Sequence, residues 1–355
     1  MTLKRVNINN MQSRSVTADT HQGNVVAGVS NVVVHLGPVQ ALVPPEPFYQ
    51  GSNFGYTMGG VSGTQVIDRY PYSSDSDASD AGELTAPSGS GLRQNRGHSS
   101  STNGYSTGGY EGPARATYIA KFPFASSTGA TFNADLQYAV GFHMSSSSET
   151  NGYTVGGISN PFGQPGAHPE GGSTGTYRIN EIQKFPFSSD GNATDVAELT
   201  QDRERGAGLS SREFGYSAGG RKDPSPATVN VIERWSHTSD ANGSDVGDLI
   251  GATEHVAGIS ATSVGYSTGG TADATIIEKF SFASSGNATD VGTLIQGIQR
   301  GAASSSTVSG YVTGGIDPSP ARVDTIQKFP FAADSASTDV GNLTATRQDL
   351  AAAQF

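Results

Sequence analysis

Gly215-Tyr216-Ser217-Ala218-Gly219-Gly220 is one of six copies of Gly-Tyr-x-x-Gly-Gly, and the recurrence of this hexapeptide decides the fold. The copies start at Gly55, Gly104, Gly152, Gly215, Gly265 and Gly310, at intervals of 49, 48, 63, 50 and 45 residues. A period near 50 residues marks a repeat architecture, in which each unit is one supersecondary element. After each copy, a turn-rich stretch leads to a short apolar segment that ends in a basic residue and an aromatic. These segments are Ile67-Asp68-Arg69-Tyr70, Ile119-Ala120-Lys121-Phe122, Ile182-Gln183-Lys184-Phe185, Ile232-Glu233-Arg234-Trp235, Ile277-Glu278-Lys279-Phe280 and Ile326-Gln327-Lys328-Phe329. A Ser/Asp/Asn-rich turn follows, then Asp-Val-Gly-x-Leu or a variant, degenerate in the second unit at Asn133-Ala134-Asp135-Leu136. A run of small residues, such as Gly206-Ala207-Gly208-Leu209-Ser210-Ser211, leads into the next Gly-Tyr.

Each unit thus holds four strand-length segments separated by turn residues. A four-stranded unit of this length is a propeller blade. Both faces of a blade are covered by neighbours, so Ile119 and Phe122, three apart, are both expected inside. The small-residue segment reads as the innermost strand, because blades converge at the axis. The paired glycines are expected where a positive φ or close blade packing is needed. The first unit begins at Phe54-Gly55-Tyr56 with no inner strand before it. The chain ends with an inner-strand segment, Thr346 to Phe355, with no Gly-Tyr after it. The two halves are complementary. The expected fold is all-β: a six-bladed propeller over residues 54–355, closed by its C-terminal strand, which hides the open edges.

The order of small strand, Tyr-x-x-Gly-Gly, Ile-Glu-x-aromatic and fourth strand resembles the kelch repeat. It departs from it where Val and Leu of Asp-Val-Gly-x-Leu replace the usual fourth-strand aromatic. The resemblance implies a kelch-like six-bladed propeller. Copper oxidases with such propellers use a cross-linked Cys–Tyr cofactor, and this chain has no Cys.

Residues 1–53 do not repeat and read as an extended N-terminal arm. The β-prone runs carrying Val25, Val26, Val32, Val33, Val34 and Leu36 need partners, and Pro44-Pro45-Glu46-Pro47 reads as a semi-rigid spacer. The arm is too short for a core of its own. It is expected either to pack on the propeller or to anchor the chain in a larger assembly, and the anchor is preferred.

Composition narrows the chemistry. Of 355 residues only 34% are hydrophobic and 15% charged, with 47 Gly and a net charge of −11. That balance disfavours helices and a nucleic-acid footprint. No apolar run reaches membrane-span length, and Met1 to Val6 opens no signal-peptide core, so neither a membrane span nor a cleaved signal is expected. The seven histidines show no zinc-ligand spacing, and no nucleophile elbow stands in a strand–turn–helix setting. No catalytic residue, metal or cofactor is expected. Asp75, Asp77 and Asp80 have oxygen-ligand spacing for Ca²⁺, but recurrence of the acidic turn in nearly every unit favours turn hydrogen bonding. The basic residue before each aromatic is expected to lay its stem on the next blade and meet a carboxylate.

The 63-residue interval marks an insertion after Gly156-Gly157. Insertions in repeat folds fall in loops, often on a binding face, which makes Phe162, His168, Glu170 and Tyr177 the candidate contact residues. The wording Lys-Phe-Pro-Phe, Ser-Ser-Asp-Gly-Asn-Ala-Thr-Asp-Val and Gly-Tyr-Ser-Thr-Gly-Gly resembles the kelch-like virion proteins of marine tailed bacteriophages. That likeness implies a non-enzymatic virion structural protein on the head or tail surface. Several copies would be anchored to other virion proteins by the arm, with a host surface glycan or protein as a further partner. A cellular kelch-type interaction adaptor and a glycan-active propeller enzyme are the alternatives.

Overall fold

The computed structural model describes residues 25–26, 33–34, 50–61, 65–161, 163–169, 177–223 and 227–355. The chain divides into two units, Met1–Glu46 and Pro47–Phe355. In the first, Val25–Val26 pairs antiparallel with Val33–Val34, Val25 opposite Val34. Val32 and Leu36 lie outside the described residues.

The second unit is a six-bladed β-propeller of antiparallel four-stranded sheets, and no helix occurs among the described residues. From axis to rim, blade 1 is Ala351–Gln354, Phe54–Met58, Val66–Pro71 and Ser79–Glu83. Blade 2 is Arg96–Ser99, Asn103–Thr107, Tyr118–Pro123 and Thr131–Asp135. Blade 3 is Met144–Ser147, Asn151–Ser159, Tyr177–Pro186 and Thr194–Glu198. Blade 4 is Ala207–Ser210, Phe214–Ala218, Val231–Ser236 and Ser244–Asp248. Blade 5 is Ala257–Ser260, Val264–Thr268, Ile276–Ser281 and Thr289–Thr293. Blade 6 is Ala302–Ser305, Ser309–Thr313, Thr325–Pro330 and Thr338–Asn342.

The C-terminal strand closes the ring as the complementary ends require. Gln354 pairs with Gly55, Ala353 with Tyr56, Ala352 with Thr57 and Ala351 with Met58. The third strands are buried on both faces, and Ile119 and Phe122 are both in the core. Only small side chains fit at the axis. A Cβ on Gly97, Gly208 or Gly258 would stand 1.8, 2.1 or 2.3 Å from a backbone oxygen of the preceding blade. All twelve residues of the Gly-Gly pairs have positive φ, where a side chain would be strained.

Blades are joined by one stacking device used six times. The Tyr of each Gly-Tyr lies against the second ring of an aromatic-x-aromatic pair in the next blade. The pairs are Tyr56–Phe124, Tyr105–Phe187, Tyr153–His237, Tyr216–Phe282, Tyr266–Phe331 and Tyr311–Tyr72, with centroids 4.6 to 5.3 Å apart. The last of these spans the ring closure. Such ring pairs add about 0.5–1.5 kcal/mol each beyond area burial.

At the rim, Lys121, Lys184, Lys279 and Lys328 each reach an aspartate in the turn of the next blade: Asp190, Asp240, Asp334 and Asp75. Where the next turn has no acid, at Ala125 to Gly129 and Ala283 to Gly286, the preceding blade carries arginine instead. Arg69 and Arg234 lie over Phe54 and Phe214 of their own blades, at 4.8 and 4.3 Å. The basic position therefore meets a carboxylate in four blades and an aromatic ring in two. The recurring acidic turns bond their own backbone: Asp80, Asp245, Asp290 and Asp339 each accept from the N–H two residues on.

Candidate recognition face

The ring has two faces, set by strand direction. Inner strands run toward one face, and five of the six end in serine. The Gly-Gly connections and the links from each rim strand to the next inner strand lie on the other.

On the first face, Ser99, Ser147, Ser210, Ser260 and Ser305 form a collar around the axis. The Oγ atoms of Ser147, Ser210, Ser260 and Ser305 accept the N–H of Ser99, Ser147, Ser210 and Ser260 across the blade gaps, at 2.9 to 3.3 Å. Ser99 Oγ accepts from Gln354. One residue type at one register does the same bonding around most of the ring. The chain enters the ring on this face: Gly51 N donates to Ser305 O, and Gln50 Nε2 to Ser306 O.

The opposite face is built differently. Two residues before each inner strand sits a non-glycine residue in the left-handed region. These are Gln94, Phe142, Arg205, His255, Arg300 and Asp349, with φ between 57° and 63°. Their backbones form a closed hydrogen-bonded circle. Gln94 donates to Asp349 O, Asp349 to Arg300 O, Arg300 to His255 O, His255 to Arg205 O, Arg205 to Phe142 O and Phe142 to Gln94 O. Left-handed backbone is uncommon outside Gly, Asn and Asp, and costs of order 1 kcal/mol or more per residue. Here it recurs in every blade with five kinds of side chain.

Those side chains converge on the axis. Phe142 of blade 3 meets His255 of blade 5 edge to face at 6.2 Å, skipping a blade. The Arg205 guanidinium lies 4.4 Å over the Phe142 ring. Arg300 stands 3.8 Å from Asp349. Burial, with the charges of Arg300, Arg205, Arg96 and Arg221, pushes His255 down to about 2, so its imidazole is neutral. Outward from Phe142 comes Tyr110, 6.0 Å away, flanked by Arg93 and Arg115 at 5.3 and 5.1 Å. A chain with net charge −11 thus gathers cationic and aromatic groups around one end of its axis.

The blade 3 insertion lies on this face. It lengthens a hairpin before it becomes a loop: Ser159 pairs with Tyr177, Ile158 with Arg178, and Val140–Gly141 adds a short strand. Arg178 binds Glu204 at 2.6 Å, next to collar residue Arg205, and also reaches Asp223. Asn160 clamps the neighbouring hairpin through both backbone groups of Arg115.

Of the four insertion residues singled out from the sequence, Phe162 and Glu170 lie outside the described residues. His168 is buried, its Nε2 2.6 Å from Glu181 Oε1 and its ring 4.7 Å from Tyr138. Tyr177, partly exposed, stacks on His168 at 5.5 Å. His168 and Tyr177 hold the base of the insertion together. Among the described residues no group of three His, Cys, Asp or Glu is arranged to hold a metal ion.

The collar was not singled out from the sequence. Its signal is present but faint: lining up the six repeats shows one position, two before the inner strand, that reads Gln, Phe, Arg, His, Arg, Asp. No family model matches the chain, and no curated protein is significantly similar to it.

Proposed function

We propose that this protein is a non-enzymatic structural and recognition component of a virion, attached through its N-terminal residues and presenting the left-handed collar to a partner. The observation that carries this reading is the polarity of the ring. The uniform serine face receives the incoming chain, and the opposite face carries the varied collar and the insertion. The collar face is not the one at which Gln50 and Gly51 join the ring. Only three large apolar side chains, Ile250, Ile295 and Val308, are well exposed among the described residues, which suits display on a particle surface. The kelch-like order of the strands and the phage-like wording of the repeats point the same way.

The partner that suits Arg205, Arg300 and Tyr110 is a host surface glycan or protein offering hydroxyls or acidic groups to arginine and an apolar face to the tyrosine ring. The test is a cross-linking map of intact particles, paired with adsorption assays on Arg205→Gly and Arg300→Gly chains. Cross-links from residues 1–46 to other virion proteins, with adsorption lost in the collar variants, are expected. A chain never found in particles would overturn the virion reading, and unchanged adsorption would overturn the collar as the recognition surface.

A further inference from the structure

The axis itself is a second place where ligand chemistry collects. A cavity of about 90 Å³ runs between the six inner strands, from Arg96 at the collar end to Ser99, Ser147, Ser210, Ser260 and Ser305 at the other. That is room for several waters, or one tetrahedral oxyanion. Among the described residues Arg96 is the one charged residue in its lining. The collar closes the end above it, since Gln94, Phe142, His255 and Asp349 are all buried.

Arg96 occupies a register that holds Ala in blades 1, 4, 5 and 6 and Met144 in blade 3. Its charge acts on His143 of blade 3 and His255 of blade 5, and it feels Asp349 of blade 1. Only a group near the axis does all three. Its hydrogen bond is to the neighbouring Asn95 carbonyl, at 3.1 Å. Among the described residues no carboxylate lies within ion-pair distance of it, and Asp349 is turned to Arg300 and to the amides of Gln94 and Gln348. Arg96 is half-buried, and a cation drawn partly out of water without a counter-charge is costly. The nearby imidazoles do not offset it. Burial and the Arg96 charge hold His143 well below the usual histidine range, and burial holds His98 at about 4.

The serine collar supplies the complement. Each Oγ already accepts a backbone N–H from the adjacent strand, so the hydroxyl protons of Ser99, Ser147, Ser260 and Ser305 remain to be donated, while Ser210 shares its own with Ser146. The lining therefore offers a guanidinium and a ring of hydroxyl donors.

We propose that the axial cavity is an anion site, in which a phosphate- or sulfate-sized oxyanion enters past the serine hydroxyls and is held by Arg96. The site would act as an electrostatic pin, joining blade 2 to the axis. It is independent of what the collar face recognises.

The experiment is calorimetric titration of the whole chain with sodium sulfate and with sodium phosphate at matched ionic strength, on wild type, Arg96→Lys and Arg96→Gln. Saturable binding near one anion per chain is expected for wild type. It should weaken by about tenfold or more in Arg96→Gln and less in Arg96→Lys, which keeps the charge without the fork. Heat that never saturates, or equal affinity in all three proteins, overturns the proposal. If Arg96→Gln does not fold, crystals of wild type grown in selenate decide the matter. An anomalous peak within hydrogen-bond distance of the Arg96 guanidinium supports the site, and an empty axis at full resolution of the strands contradicts it.

Discussion

The two ends of the axis obey different rules. At one end a single residue, serine, repeats because its job is the same in five blades: to accept a neighbour's N–H where only a small side chain fits. At the other end the backbone repeats and the side chains do not. Six residues share one left-handed conformation and one circle of hydrogen bonds, yet read Gln, Phe, Arg, His, Arg and Asp. Where folding dictates the side chain, repeats agree. Where it dictates only the backbone, the side chain is left to other uses, and strain kept in every blade is the mark of such a site.

That contrast can be broken from its strong end. Deleting Ala351 to Phe355 removes the strand that pairs with Gly55 to Met58 and leaves blade 1 with an open edge. Cooperative unfolding should be lost, and the chain should aggregate in light-scattering assays. A truncated chain that melts like the whole would show that closure is not needed.

Next comes the buried ion pair that steadies two blades. Arg203 binds Glu233 and the carbonyls of Gly219 and Val231; Arg347 binds Asp68 and the carbonyls of Gly59 and Val66. Arg203→Ala should cost about 3–5 kcal/mol in denaturant melts, because it strands a buried carboxylate. Adding Glu233→Gln to it should restore a good part of that loss. No recovery in the double variant would mean that the carbonyl bonds, and not the charge pair, carry the stability.

Ser210→Ala leaves the N–H of Ser147 without its acceptor. A loss of about 1–3 kcal/mol is expected, within reach of a thermal melt.

Blade 5 offers a smaller and pH-dependent test. Thr253 stands where Arg203 and Arg347 stand in blades 4 and 1, as the matching bonds of Thr253, Arg203 and Arg347 to the second-to-third strand connections show. Glu278 accordingly has the Ile250 N–H and, among the described residues, no guanidinium, and burial pushes its carboxyl up to about 7. The fold thus favours the protonated acid. Its contribution is full below about pH 4.5 and is lost as pH rises through 7. Relative to Glu278→Gln, wild type should lose about 2 kcal/mol over that interval, allowing for partial solvent screening. Parallel stability–pH curves for the two proteins would refute this.

Much of the ring was legible because propeller packing acts through short, repeated words. The hexapeptide gives the blade count, the unmatched ends at Phe54 and Phe355 give the closure, and the small inner segments give the axis. The lysine-to-aspartate links followed from the same logic; the two Arg-on-Phe substitutions did not, since they depend on an acid missing from the next blade's turn. The collar was hidden for a physical reason. Left-handed backbone is advertised by Gly or Asn, and here tertiary bonding imposes it on Phe, Arg and His, whose sequence gives no sign of it. The insertion was legible as extra length, but not in its division into a longer hairpin and a loop, nor in the burial of His168 against Glu181.

The most direct test of the account is saturation mutagenesis at eleven positions, the six of the left-handed collar and the five axial serines, with folded yield as the readout. The account predicts broad tolerance at Gln94, Phe142, Arg205, His255, Arg300 and Asp349, with glycine among the best-accepted residues, and narrow tolerance for anything but small donors and acceptors at the serines. Equal intolerance at both ends, with glycine rejected in the collar, would contradict it.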